Sequence, residues 1–402
     1  MKKMLMISIE LPYPPSSGGR MKSWNLVNYL SRYYEFGLAC PLKYGTEYLA
    51  DFREKTQLRH FLSDRVEIPR SAKSLATSYL KMVPLNVHRS GSADLKRQIA
   101  AVADEYDIIF LDHYESLQYL PEGFRGQVIF HTHNATYLMW ERYADSDANL
   151  VYRAVTAVEA RRVRRYENAV CERADLIFAS PNDIDSLVAI GCERSKFRVT
   201  YHLGDDSQLA LEALRFEATE KALLYVGLLN WEANVDGLMW FLEEIWPDLL
   251  LNNPDLEFWI AGGSPDPRLI AKVDSLPGVS LLGFVEDLEP LFSRARLFMA
   301  PLRFGSGIKV KVLNAMCRGL PTITTSVGSE GLVAKHMEHL SITDNAADMR
   351  DAVSLLLTDQ AAWDRLQEGS RALVREHYTW EKVLGYMVSE IEAQAESQHE
   401  TT

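Results

Sequence analysis

Late in the chain Gly305-Ser306-Gly307 runs directly into Lys309 and Lys311. Glycines let a backbone turn tightly and bring its N–H groups close to a ligand. A helix beginning at that point adds unpaired N–H groups and the positive end of its dipole, with two ammonium groups beside them. Such a set suits an anion, and a diphosphate in particular. It is not the phosphate loop of nucleotide hydrolases, because Gly-Lys-Ser/Thr after four variable residues is missing. A tight turn with solvated lysines is the plainer alternative, and residue types alone leave both open.

His131-Thr132-His133-Asn134 forms a second polar cluster, directly after an apolar run at 128–130. Open α/β sheets place their ligands just beyond the ends of buried strands. His133 is therefore expected at a ligand, and His131, two residues earlier, to point the other way into the structure. Histidines at i and i+2 suit a metal, but the sequence offers no evident third ligand, so no metal is expected.

The elements that must hold these groups alternate between strand and helix. Residues 297–300 read as a strand entering Pro301, 308–317 as a helix, and 322–325 as a β-branched strand, with Gly319-Leu320-Pro321 between. Strand, turn, helix, strand is the layout of a parallel α/β unit. The chain opens the same way: an apolar run at 3–9, Gly18-Gly19, then Trp24, Leu26, Val27 and Leu30 at helical spacing. Strands at 36–40, 108–111, 176–179 and 197–201 complete a first series. Residues 203–220 read as a linker, and a second series begins with 222–226, 258–261 and 279–282. Ser180-Pro181 has the types expected of a cap and first helical turn. A helix at 152–173 carries Arg161, Arg162, Arg164, Arg165 and Arg173 among its charges, read as a solvated face paired with Glu159, Glu167 and Glu172. Residues 45–100 are partly basic and broken by Pro69 and Pro84. A helical stretch from 349 to about 395 ends in the apolar stripe Val383, Leu384, Met387, Val388 and Ile391, and the tail from 394 is expected to be disordered.

Composition bounds the function. At 402 residues, two domains are the default. Four scattered cysteines without a CxxC argue for a reducing compartment and against a cysteine-held metal. The first fifteen residues lack a long apolar stretch and a small-residue cleavage site, so they read as a strand rather than a leader. No window of eighteen residues is apolar enough to span a bilayer. Residues 1–205 hold 27 Lys+Arg against 25 Asp+Glu, net +2, and the remainder 16 against 30, net −14. The acidic balance argues against nucleic acid as a partner and makes the first half the better match for an anionic surface.

The blocks YVGLLNWEANVDGLMWFLEEIWP at 225–247, GVSLLGFVEDLEPLF at 278–292 and PLRFGSGIKVKVLNAMCRGLPTITTSVGSEGL at 301–332 resemble the retaining, nucleotide-sugar-dependent glycosyltransferases of the family 4 type. The likeness extends to Gly18-Gly19, to His133-Asn134 and to the Tyr378-Thr379-Trp380 start of the last helix. It implies an α/β fold of the GT-B kind: two Rossmann-like domains facing across a cleft, at 1–205 for the acceptor and 206–375 for the donor, with residues 376–402 returning to the first. It implies transfer of a hexosyl group to a glycan or lipid-linked acceptor, with retention and no metal or other cofactor; the cysteine usage adds the expectation of a cytoplasmic protein, and the charge division that of a peripheral membrane contact through the first domain. Catalytic roles are implied for His133 at the sugar and for Lys311 and Lys309 at the phosphates. Donor contacts are implied for Gly18, Gly19, Phe284, Val285, Gly305, Ser306, Gly307, Asn314 and Thr325, with Thr324 and Ser326 nearby. Two departures stand out. Asn314 occupies the place of the usual ribose-binding glutamate, for which Glu330 is a substitute candidate, and Leu229-Asn230 stands where an arginine is common. A catalytically weak nucleotide-sugar-binding or partner protein therefore remains the alternative, ahead of an epimerase or hydrolase.

Overall fold

The computed structural model describes all residues except 16–17, 44–45, 70, 147–149, 306 and 401–402. The chain divides into two compact units, one of residues 1–201 with 384–402 and one of 202–383. Each is built on a wholly parallel sheet.

In the first unit the strands are β1 (Lys3–Ile7), β2 (Glu35–Leu42), β3 (Phe61–Arg65), β4 (Ile108–Asp112), β5 (Gln127–His131), β6 (Leu176–Ala179) and β7 (Phe197–Val199). They lie in the order β3-β2-β1-β4-β5-β6-β7. The central strands are buried on both faces, as helix-covered parallel sheets require, and read as unbroken apolar runs such as MLMI and IIFL. Leu5, Ile109, Phe130 and Ile177 belong to one continuous core.

The second unit has β8 (Ala222–Val226), β9 (Glu257–Ala261), β10 (Val279–Gly283), β11 (Leu297–Ala300), β12 (Thr322–Thr324) and β13 (Ser341–Ile342), in the order β10-β9-β8-β11-β12-β13. The helix Val310–Arg318 ends at Gly319, whose φ of +77° gives the left-handed cap that a side chain would resist. Leu320-Pro321 then leads straight into β12.

Strand order reverses between β1 and β4 in one sheet and between β8 and β11 in the other. Open α/β sheets gather ligands beyond the C-terminal ends of the strands at such points. The glycine turn after β11 and the segment after β4 are therefore placed by topology before any side chain is considered.

Three expectations change. Residues 203–220 are structured: Asp205 caps a helix at Asp206–Ala210, and Arg371 donates to the carbonyls of Leu209 and Leu211 at 2.7 and 2.9 Å. The tail is helical, Tyr386–Glu400, in keeping with its Glu, Ala and Gln content; residues 401–402 lie outside the described chain. The long helix Leu150–Arg173 is not simply a solvated face, since Glu159 and Glu167 are buried and serve other segments.

The final helix packs on the first unit. Glu392 accepts from Lys2 at 2.7 Å and from the Tyr34 hydroxyl at 2.8 Å, and Arg198 pairs with Glu390. Leu384, Met387 and Ile391 from the apolar stripe are buried.

Candidate active site

In the first unit, β4 ends on Asp112, which is fully buried. Its Oδ1 accepts from His131 Nδ1 and from His133 Nε2, each at 2.8 Å, and Oδ2 accepts from the Ser23 hydroxyl at 2.5 Å. Burial alone would raise the Asp112 carboxyl, but the surrounding histidines and their hydrogen bonds outweigh it and hold the group well below the usual range. Burial drives the imidazoles the other way, His131 down to about 4 and His113 and His133 to about 3. An ionised aspartate among neutral imidazoles satisfies both tendencies. His131 Nε2, buried without a hydrogen-bond partner among the described residues, fits a neutral ring.

His131 and His133 do not diverge as strand alternation led one to expect. β5 ends at His131, so alternation no longer governs His133, and both rings turn to one carboxylate. His113 stacks on His133 with centroids 3.7 Å apart. It holds φ at +71°, a conformation that costs a non-glycine residue energy and concentrates at functional sites. Lys22 is buried nearby; burial lowers its amine to about 8 while Asp112 pulls it back up. Ligand atoms of Asp112, His113 and His133 lie within 4.8 Å of one another, a metal-capable grouping that sequence spacing did not show. Asp112 is already engaged by three donors, and the lysine beside it disfavours a further cation.

The loop carrying His133 is anchored from outside. Glu167, on the long helix, accepts from the backbone N–H groups of Thr136 and Tyr137 at 2.7 and 3.0 Å, satisfying the first turn of the helix Thr136–Ser146. Asp183 accepts from Ala135 N at 2.7 Å. Burial raises the Glu167 carboxyl to about 8 despite these bonds. Gly18 and Gly19 open the helix Gly18–Leu30, and a Cβ on Gly19 would meet no atom within 4 Å, so its backbone is open to close approach.

In the second unit the turn after β11 has Gly305 at φ +144° and Gly307 at φ +70°, so glycine is required at both positions. Ser306 lies outside the described residues. Lys309 flanks the start of the helix Val310–Arg318; its Nζ donates to Gly307 O at 2.5 Å and lies 3.5 Å from Glu330. Glu330 is thus placed against the turn. Lys311 Nζ donates to the Tyr225 hydroxyl at 2.7 Å and to Asn234 Oδ1 at 2.6 Å. Burial, with Lys309 adding repulsion, lowers the Lys311 amine to about 7.

The other expected donor contacts differ in kind. Phe284 is 80% exposed just beyond β10, with Val285 half-buried beside it. Asn314 is half-buried, and its carboxamide makes no hydrogen bond among the described residues. Thr325 is buried, and its hydroxyl donates to Leu302 O and accepts from Gly328 N at 3.0 Å. Thr324 likewise bonds Ala300 O at 2.7 Å. These two hydroxyls pin the loop through its backbone. The glycine motif and the histidine pair did not reveal Lys22, Ser23, Asp112, His113, Tyr225 or Asn234. The polar pair Asp112-His113 ending an apolar strand was the one available signal.

Known proteins share this architecture. Residues 220–359 match the family model described as glycosyl transferases group 1. An uncharacterized 44.6 kDa protein in the cps region of Klebsiella pneumoniae is 21% identical over 405 residues, covering 97% of this chain and 100% of that protein. Among solved structures, HepE of Anabaena in complex with UDP superposes with a TM-score of 0.69 at 13% identity, over 97% of this chain and 100% of that one. Sucrose-phosphate synthase of Thermosynechococcus elongatus gives 0.66 at 17%, over 98% and 100%. WaaG, a glycosyltransferase involved in lipopolysaccharide biosynthesis, gives 0.64 at 14%, over 95% and 98%. The chain has the GT-B fold, and its second unit carries a domain matching the group 1 glycosyl transferases.

Proposed function

We propose that this protein transfers a hexosyl group from a nucleoside diphosphate sugar to a glycan or lipid-linked acceptor, with retention at the anomeric carbon and without a metal. The observation that carries the reading is the turn after β11. Two glycines at positive φ, a helix start and two lysines meet at the switch point of a sheet whose domain matches group 1 glycosyl transferases. HepE was solved with UDP and with UDP-glucose, which supports a uridine diphosphate sugar as the first donor to try.

In the proposed reaction the glycosidic bond to the diphosphate breaks and negative charge grows on the departing phosphate. Lys311, Lys309 and loop N–H groups act where that charge forms, which speeds the step more than uniform substrate binding does. His133 is the residue proposed to meet the sugar, with Asp112 fixing its ring. Gly18, Gly19, Phe284, Val285, Asn314 and Glu330 are proposed to contact the donor.

The first unit is proposed to receive the acceptor. A cavity of about 930 Å³ lies beyond the ends of β1, β2 and β3, lined by Glu10, Lys43, Glu67, Arg89, Ser90 and Glu115 among others. Its mixture of donors and acceptors suits a hydroxyl-rich ligand. No described helix is long and apolar enough to cross a membrane, and a peripheral contact through the near-neutral first unit is proposed on charge alone.

Donor turnover with UDP-, GDP-, ADP- and dTDP-sugars, with and without cell-envelope extract, tests the reading. Acceptor-dependent release of nucleoside diphosphate, unchanged by excess chelator and yielding a product of unchanged anomeric configuration, is the expected result. Activity that returns only with Mg²⁺ or Mn²⁺ overturns metal independence. Binding without turnover favours the weak or inactive alternative, which Asn314 and the missing arginine motivate.

A further inference from the structure

We propose that Tyr225 and Asn234 hold the Lys311 side chain as an uncharged amine in the empty protein, and that a donor diphosphate converts it to ammonium by drawing one proton from solvent. The inference rests on the donor reading above and assigns positioning roles to two residues outside the glycine motif.

The hydrogen-bond count points this way. Among the described residues Lys311 Nζ has two partners, the Tyr225 hydroxyl at 2.7 Å and Asn234 Oδ1 at 2.6 Å. A neutral amine has two N–H groups, which these acceptors satisfy; an ammonium has a third, left without a partner. Asn234 is fixed in the orientation that presents oxygen, because its Nδ2 donates to Leu228 O at 2.7 Å. Tyr225 and Asn234 are themselves buried.

Charge agrees with the count. Tyr225 stays protonated, since burial pushes its hydroxyl up. The acidic groups of the helix Glu232–Glu244 nearest Asn234 are engaged elsewhere, Glu232 with Arg268 and Asp236 with Arg303. On its own element Lys311 feels Lys309, a like charge that lies against Glu330. No carboxylate compensates an ammonium among the described residues. The Tyr225 ring, 4.6 Å from Nζ, offers a cation less than a carboxylate does. Burial of the amine lowers its proton affinity to about 7, in the same direction. A diphosphate oxygen supplies both missing elements, a third acceptor and a negative charge, and so raises that affinity on binding.

Calorimetric titration with UDP in buffers of different ionisation enthalpy reads the proton directly. At about pH 8 uptake should approach one proton per UDP, and it should fall toward zero at about pH 6, where the amine is already charged. Lys311→Met should abolish the uptake. Asn234→Asp, which puts a carboxylate beside the amine and keeps it charged, should abolish it as well. UDP binding with no buffer dependence at pH 8 overturns the inference while leaving the donor reading intact. Unchanged uptake in Lys311→Met assigns the proton to another group and also overturns it. If UDP at millimolar concentration gives no binding heat, the donor reading fails and the inference falls with it.

Discussion

An ionised Asp112 between neutral His131 and His133 determines which nitrogen of each ring carries its proton: Nδ1 of His131 and Nε2 of His133. His133 Nδ1 is then the acceptor nitrogen of its ring. The three imidazoles around Asp112 have proton affinities lowered from 6.5 to about 3 or 4. Nitrogen chemical shifts followed from about pH 8 to 5 should therefore show all three remaining neutral. The sign for stability follows. An unfolded histidine takes up its proton below 6.5 and the folded one does not, so their contribution is present above that pH and is lost as pH falls toward 3. A ring that titrates near 6.5 would show that burial does not dominate at that ring, since Asp112 by itself pulls its proton affinity up. In the second unit, Lys311→Ala should lower kcat/KM by about 10² or more, the order lost with one preorganised donor. A change below about threefold in a folded variant removes Lys311 from the reaction.

Glu167 shows how an element positions a residue that it does not contain. Read along the sequence, it is one of several charges on an arginine-rich helix. In the fold it supplies acceptors for the N–H groups of Thr136 and Tyr137, directly after the His133 loop. Glu167→Ala removes the acceptor from both donors, at a cost of about 1–3 kcal/mol for the buried Tyr137 N–H and less for the part-buried Thr136 N–H. Denaturant unfolding should register that loss, and His133 resonances should broaden or move while those of the second unit stay put. Wild-type stability in Glu167→Ala would mean water replaces the carboxylate. The glycine turn is the converse case, an element whose role is local. Gly305, Gly307 and Gly319 each occupy backbone conformations that side chains resist, so their types could be read without knowing the neighbours.

Over the whole molecule, the last residues complete the first unit. Leu384, Met387 and Ile391 are buried, and Glu392 bonds both Lys2 and Tyr34. A chain ending at residue 383 exposes that apolar surface at roughly 25 cal/mol per Å². Its first unit should melt several degrees lower and gain dye-binding surface, as differential scanning fluorimetry would detect. An unchanged first transition would argue that the helix contributes little to that unit. The charge division, net +2 for residues 1–205 against −14 for the rest, is also a property of the whole chain. It bears on which half an anionic surface attracts, and fixes no single contact.

The alternation of apolar runs with helical spacing was enough to establish two parallel α/β sheets, because buried strands and amphipathic helices obey different periods. The glycine turn with Lys309 and Lys311 was equally legible, since positive φ, a helix start and adjacent cations are local properties. Tertiary structure alone decided what those groups touch. Asp112 and His133 are 21 residues apart, and Lys311 and Tyr225 are 86, so no spacing rule joins them. Neighbouring parallel strands end at the same edge of a sheet whatever their separation in the chain, and that brings a carboxylate to two histidines and a hydroxyl to a lysine. The same burial that assembles these groups sets their protonation, which is why the charge at Lys311 could not be read from its being a lysine.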